Sequence, residues 1–221
     1  ILGSRGSDLA LWQTRDVAAR LLALGTKSEI KIITTSGDVS LAERLVGSLE
    51  KGFFTAELET ALRSEGIDAA VHSLKDLPTR LPDGLNVGSI LPRANAYDIL
   101  LTHERFLDPS LLSASHTLPL RAGTRVGASS LRRDALVKHF APSLRPVPLR
   151  GNVPTRLHKL RQGDVDAIIL AGAGVQRLQL DLAGLVGFSL NPRLFIPAPG
   201  QGAVAVETRT SDARKVWAGI D

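Results

Sequence analysis

The chain has 221 residues, 43% of them hydrophobic and 4% aromatic, with a formal net charge of +5. That length suits one large domain or two small ones, packed around Leu, Val, Ile and Ala rather than aromatic rings. The absence of cysteine excludes disulfides, thiolate metal sites and a cysteine nucleophile, and no apolar run approaches the ~20 residues that cross a bilayer.

No charged-then-apolar leader opens the chain, so no export signal is expected. Methionine is absent, including at position 1, so the chain is not expected to be a complete primary translation product. The positive charge raises the question of nucleic acid. The basic residues, however, occur singly or in short pairs, and the aromatics that would stack bases are scarce. Arg outnumbers Lys 20 to 7. A guanidinium grips carboxylate or phosphate bidentately, so scattered Arg beside Gly and Ser suits small polyanions better.

In chain order, Ile1–Gly3 is a short apolar start and Ser4-Arg5-Gly6-Ser7 a polar turn. Asp8 to about Leu24 reads as an amphipathic helix carrying Leu11, Val17, Leu21 and Leu22, capped by Ser7 or Asp8. A strand end that opens a helix attracts anions, and Arg5 and Ser7 are placed to help. Ser7 as a mere cap and Arg5 as a solvated cation explain the same residues equally well.

Residues 29–33 predict a second strand, followed by a polar loop. Residues 45–52, with two glycines, predict a less regular, mobile segment. Thr55–Leu62 predicts a helix with Thr55 as its cap and Glu57 and Glu59 in its first turn. Ile67–His72 reads as a strand buried on both faces. Beyond it Ser73, Lys75 and Asp76 fall where open α/β sheets usually place ligands, and Pro78 ends the regular structure. A carboxylate beside an ammonium can act as an acid, a base or a cation stabiliser. An ordinary polar surface loop is the competing explanation.

Strands are expected at 84–91, 98–101 and 124–127, with an irregular stretch and a short helix across 103–123. Ala128-Ser129-Ser130-Leu131-Arg132-Arg133 then opens a helix reaching about Phe140, a recurrent form of anion cradle. Successive helical residues point ~100° apart, so at most one of Arg132 and Arg133 is expected on a buried face. A strand at 146–149 leads to Arg150-Gly151-Asn152, with Asn152 capping a helix that bears Pro154 and Arg156. A buried strand at 165–170 opens a helix with Arg177. A Pro- and Gly-rich loop carries Gln201, and a last strand at 203–207 and a short helix at 212–218 close the chain. Strand and helix alternate throughout, which predicts an α/β protein with largely parallel sheets. Arg or Ser recurs at the strand-to-helix turns, pointing to one crevice lined by cations. No internal repeat is visible, and no metal site is assigned.

Taken together, these motifs resemble the porphobilinogen deaminase (hydroxymethylbilane synthase) family. The matching stretches are Ser4–Gln13, Lys51-Gly52-Phe53-Phe54, Ala70–Pro78, Gly127–Arg133, Leu149–Val153, Asp166–Ala171 and Pro199–Ala203. The resemblance covers essentially the whole chain. It implies an α/β fold of two domains like type II periplasmic binding proteins with a central cleft. Residues 1–95 plus 200–221 would form the first domain and 96–199 the second. It implies stepwise deamination and head-to-tail condensation of porphobilinogen into a linear hydroxymethylbilane, with Asp76 as the catalytic carboxylate. Lys51, Ser73, Lys75, Ser129, Ser130, Arg132 and Arg133 would hold a dipyrromethane cofactor. Arg5, Ser7, Arg150, Arg156, Arg177 and Gln201 would hold substrate carboxylates.

Three features depart from that pattern. The family carries the dipyrromethane on a Cys of a third domain; this chain has no Cys and ends at Asp221, about where that domain would begin. The third domain is therefore expected to be absent, and covalent attachment within this chain is impossible. Gly47 lies where a basic residue often precedes the Lys51 loop. Asp8 follows Ser7 where Pro is frequent. The expected partners are porphobilinogen and linear pyrrole chains, without nucleic acid or membrane, for a monomer in the cytoplasm or, after loss of a transit segment, an organelle stroma. The alternative is a non-catalytic tetrapyrrole or polycarboxylate binder.

Overall fold

A computed structural model describes residues 1–35, 55–112, 118–212 and 214–221. The elements begin with β1 (Leu2–Ser4), α1 (Asp8–Ala23), β2 (Ile30–Ile32), α2 (Ala56–Arg63), β3 (Ala69–Ser73), β4 (Leu85–Ile90) and β5 (Asp98–Thr102). They continue with β6 (Arg125–Gly127), α3 (Leu131–Phe140), β7 (Arg145–Val147), α4 (Val153–Gln162), β8 (Ala167–Ala171), α5 (Gly172–Arg177), β9 (Val186–Ser189) and β10 (Val204–Arg209). The chain divides into two compact units: Ile1–Ala94 with Gly200–Asp221, and Asn95–Pro199.

Each unit holds a five-stranded sheet, ordered β2-β1-β3-β10-β4 in the first and β7-β6-β8-β5-β9 in the second. In each, three strands run parallel and a fourth runs against them. Half the strand pairings among the described residues are thus antiparallel, which corrects the expectation of largely parallel sheets. The opposed strands, β5 and β10, are the first strands after the chain passes from one unit to the other. Their reversed entry follows from that connectivity and leaves no mark on local periodicity.

In the first unit β3 faces helices on both sides. Ala69 and Val71 join Val17 and Leu21 of α1 in one apolar cluster, and Ala70 joins Leu58 and Leu62 of α2 in another. Alternate strand residues point to opposite faces, so covering both faces demands the unbroken apolar run seen in the sequence. Burying a side chain such as Val17 or Leu21 contributes about 1.5–3 kcal/mol. β8 does the same in the second unit: Ala167 and Ile169 pack with Val137 of α3, and Ile168 and Leu170 pack with Leu157 and Leu160 of α4.

α1 buries Ala10, Gln13, Thr14, Val17 and Leu21, a stripe of helical spacing. Leu22, expected on that stripe, is instead 59% exposed. Thr55 occupies the cap position of α2, but its buried hydroxyl makes no hydrogen bond among the described residues. β9 has no counterpart among the expected strands, although its residues alternate between half-buried and exposed. The closing helix is a 3₁₀ turn, Lys215–Gly219. Residues 45–52 lie outside the described residues.

Candidate functional site

In the first unit, β1 and β3 are parallel neighbours, so Arg5, Ser7 and Ser73–Asp76 emerge at one end of the sheet. β10 runs antiparallel to β3, with Val204 opposite Ser73, which brings Gln201 to the same end. Leu74, Lys75 and Asp76 form a single 3₁₀ turn. The turn is tied to the β10 side by Leu74 N–H donating to the Ala203 carbonyl at 3.0 Å. Gly200 has φ +70°, and a Cβ there would come within 2.8 Å of the Leu74 side chain. Both facts require glycine where the return segment meets the turn.

Lys75 Nζ lies 3.9 Å from Asp76 Oδ1, with the two side chains 30% and 42% exposed. Such a pair contributes little to stability, and its charges stay accessible to another partner. Ser73 is fixed differently: the Gln13 side-chain amide on α1 donates to its hydroxyl at 2.9 Å. Ser7 is the N-cap of α1, accepting from the backbone N–H of Ala10 at 3.4 Å. Arg5 is half-buried. Gln201 is buried, and its backbone carbonyl accepts from Arg93 Nε at 2.9 Å. Lys51 lies outside the described residues.

The second unit repeats the layout. β6, β7 and β8 are parallel, so Ser129 to Arg133, Arg150 and the start of α5 cluster at their carboxyl ends. β5 runs antiparallel to β8, with Asp98 opposite Ala171, which places Asp98 at the same end. Arg133 is buried and its Nη2 donates to Asp98 Oδ1 at 2.7 Å. Arg132 Nη2 lies 2.8 Å from Asp98 Oδ2, and its Nη1 donates to the Ile196 carbonyl at 2.6 Å.

The ~100° offset between neighbouring helical residues therefore does not keep the two arginines apart. Arg133 alone is buried, yet both long side chains bend to one carboxylate. The Ser129 hydroxyl donates to the Leu149 carbonyl. Ser130 sits at the N-cap position of α3 without a side-chain cap bond. Asn152 caps α4 through the Thr155 N–H at 2.9 Å, and Arg156 Nε donates to the Gly151 carbonyl at 2.7 Å. Arg177 ends α5, half-buried. At the opening of α5, Gly172 admits the Tyr97 ring, which a Cβ would approach to 2.3 Å.

Asp98 and Gln13 were not picked out from the sequence. The one signal for Asp98 is an acid directly before an apolar strand run. For Gln13 it is a polar residue on the buried stripe of α1.

A family model described as "Porphobilinogen deaminase, dipyromethane cofactor binding domain" matches residues 1–216. The chain belongs to the porphobilinogen deaminase family. It is 44% identical over 213 residues to a porphobilinogen deaminase of Syntrophomonas wolfei, covering 96% of this chain and 66% of that protein. It is likewise 44% identical over 216 residues to one from Carboxydothermus hydrogenoformans, covering 96% and 65%. The chain thus spans about 65% of the length of these relatives. Among solved structures, the BenM effector-binding domain with benzoate superposes at TM-score 0.56 and 13% identity, covering 99% of this chain and 86% of that one. The Bordetella pertussis BvgS periplasmic VFT2 domain does so at 0.51 and 16%, covering 95% and 74%. These two matches bear on the fold alone, which is of the periplasmic-binding-protein type.

A dipyrromethane carries several carboxylates, and the second unit's donors fit such a group. Two guanidiniums meet one carboxylate at Asp98, beside the N-terminus of α3, where the helix dipole also favours an anion. The chain holds no thiol to attach it. Among the described residues, no helix is long and apolar enough to cross a membrane, and no His, Cys, Asp and Glu cluster could hold a metal ion.

Proposed function

We propose that the chain performs hydroxymethylbilane synthase chemistry, joining porphobilinogen units head to tail with loss of ammonia. In this reading the first unit supplies the reacting carboxylate and the second the carboxylate-binding cations. The observation that carries it is the gathering of Arg5, Ser7, Ser73, Lys75, Asp76 and Gln201 at one end of the first sheet, with the acid accessible.

Each step has a charge problem that these residues address. Loss of ammonia from porphobilinogen leaves a cationic azafulvene, and the Asp76 carboxylate stabilises that charge where it develops. After the carbon–carbon bond forms, the attacked pyrrole carbon loses a proton, and Asp76 accepts it. Lys75 and Arg5 at the same sheet end hold the acetate and propionate of the incoming unit. Arg132, Arg150, Arg156 and Arg177, with the Ser129 and Ser130 turn, hold the negative charge that accumulates on the product chain. Bound dipyrromethane would supply the first pyrrole carbon to be extended, and Ser130 and Arg132 would grip its carboxylates. In this reading the reaction runs in the cytoplasm, with a monomer acting on porphobilinogen and linear pyrrole chains.

Incubation with porphobilinogen, with and without added dipyrromethane, tests the proposal by the absorbance of the bilane formed. Turnover that Asp76→Asn lowers by about 10²–10³-fold is expected. Stoichiometric binding without turnover, or turnover indifferent to Asp76→Asn, would overturn it.

A further inference from the structure

Asp98 is fully buried and meets two cations, although one would neutralise it. Arg133 is the evident counter-ion: its side chain is 6% exposed and it donates to Oδ1 at 2.7 Å. A buried carboxylate without such a partner is strongly destabilising. Arg132 is not needed for that purpose. It is 23% exposed and reaches Asp98 Oδ2 at 2.8 Å from one terminal nitrogen, while the other donates to the Ile196 carbonyl at 2.6 Å. With its third nitrogen tethered by the side chain itself, an ion pair at one terminal nitrogen and a hydrogen bond at the other restrict how that planar group can turn.

We propose that Asp98 is a positioning residue that presets the guanidinium plane of Arg132 for a ligand carboxylate, with Arg133 as its buried counter-ion. An unconstrained Arg side chain loses about 2 kcal/mol of rotamer freedom when it is fixed. Asp98 takes that loss during folding, so a bound carboxylate need not. The inference rests on the reading of the second unit as the carboxylate-binding side.

Charge and orientation make opposite predictions here, and that makes the idea testable. Removing the negative charge of Asp98 makes the surroundings of Arg132 more positive, so electrostatics alone predicts tighter anion binding. Loss of a preset fork predicts weaker binding.

Two variants of the full chain decide between them. Asp98→Asn removes the charge. The double variant Asp98→Leu, Arg133→Met replaces the buried pair by apolar groups of similar volume, which proteins tolerate far better than a lone buried charge. Calorimetric titration with free dipyrromethane, whose carboxylates this reading places on Arg132, is expected to show affinity about tenfold weaker in both variants than in the unaltered chain. Unchanged or tighter binding in the folded double variant overturns the proposal. A crystal structure of the double variant supplies a readout that needs no ligand. Arg132 Nη1 is expected to leave the Ile196 carbonyl; a hydrogen bond still present there also overturns the proposal. If the unaltered chain fails to bind dipyrromethane, the reading of the second unit falls, while the crystal structure still decides the role of Asp98.

Discussion

The two units place charge at equivalent ends of equivalent sheets and treat it in opposite ways. In the first, Lys75 and Asp76 stand on a 3₁₀ turn with a loose 3.9 Å contact and substantial exposure. In the second, Asp98 is fully buried and clamped by Arg132 and Arg133 at 2.8 and 2.7 Å. An exposed, weakly paired carboxylate can change partner at little cost to the fold. A buried, doubly paired one cannot. The difference teaches that a carboxylate at the same end of two like sheets can stay open to a partner or become a fixed electrostatic support, according to how completely the surrounding elements close over it.

The sharpest way to break this contrast is Asp76→Asn. It is expected to lower porphobilinogen turnover by about 10²–10³-fold, while the melting curve stays within about 0.5 kcal/mol of the unaltered chain. A large loss of stability would mean that Asp76 is structural after all. Arg133→Met should do the reverse. It leaves Asp98 buried with only its less buried partner and should cost about 3 kcal/mol in urea unfolding; a shift under 1 kcal/mol would count against Arg133 as a strut.

Acid titration adds a contrast within the first unit. Hydrogen bonding from the Arg214 guanidinium, aided by Trp217 Nε1–H and the Arg214 backbone N–H, holds the Asp212 carboxyl down to about 2 from an ordinary 3.8. Its folded-state value lies below its unfolded one, so the stabilisation is complete above about pH 5 and drains away as pH falls through 4 towards 2. Asp212→Asn is expected to remove about 2 kcal/mol at neutral pH and to flatten the decline of stability between pH 5 and 2. An acid limb unchanged in the variant would contradict this. The smallest effect concerns the caps. Asn152 accepts from Thr155 N–H at 2.9 Å, whereas Ser7 accepts from Ala10 N–H at 3.4 Å. Asn152→Ala should therefore cost about 1 kcal/mol in thermal unfolding and Ser7→Ala less. Equal costs would show that cap geometry does not separate the two helices.

Much of this was legible in the residues. The apolar runs of β3 and β8, the Asn152 and Ser7 caps and the polar strand-to-helix turns all depend on neighbours in sequence, and they stand close to where periodicity and cap chemistry put them. The motif set carried the family as well. Three features were not legible, each for the same reason. The common strand order of the two sheets is a repeat of topology without a repeat of sequence, because many apolar sequences fill one buried strand position. The opposed course of β5 and β10 depends on where the chain re-enters each unit. The convergence of Arg132 and Arg133 on Asp98 joins residues 34 and 35 positions apart through side chains long enough to override their helical directions. Local chemistry determined which segments form and which residues carry charge. Only the packing of distant strands decided which of those charges are sealed in and which remain open to react, because burial depends on every element that closes over a site.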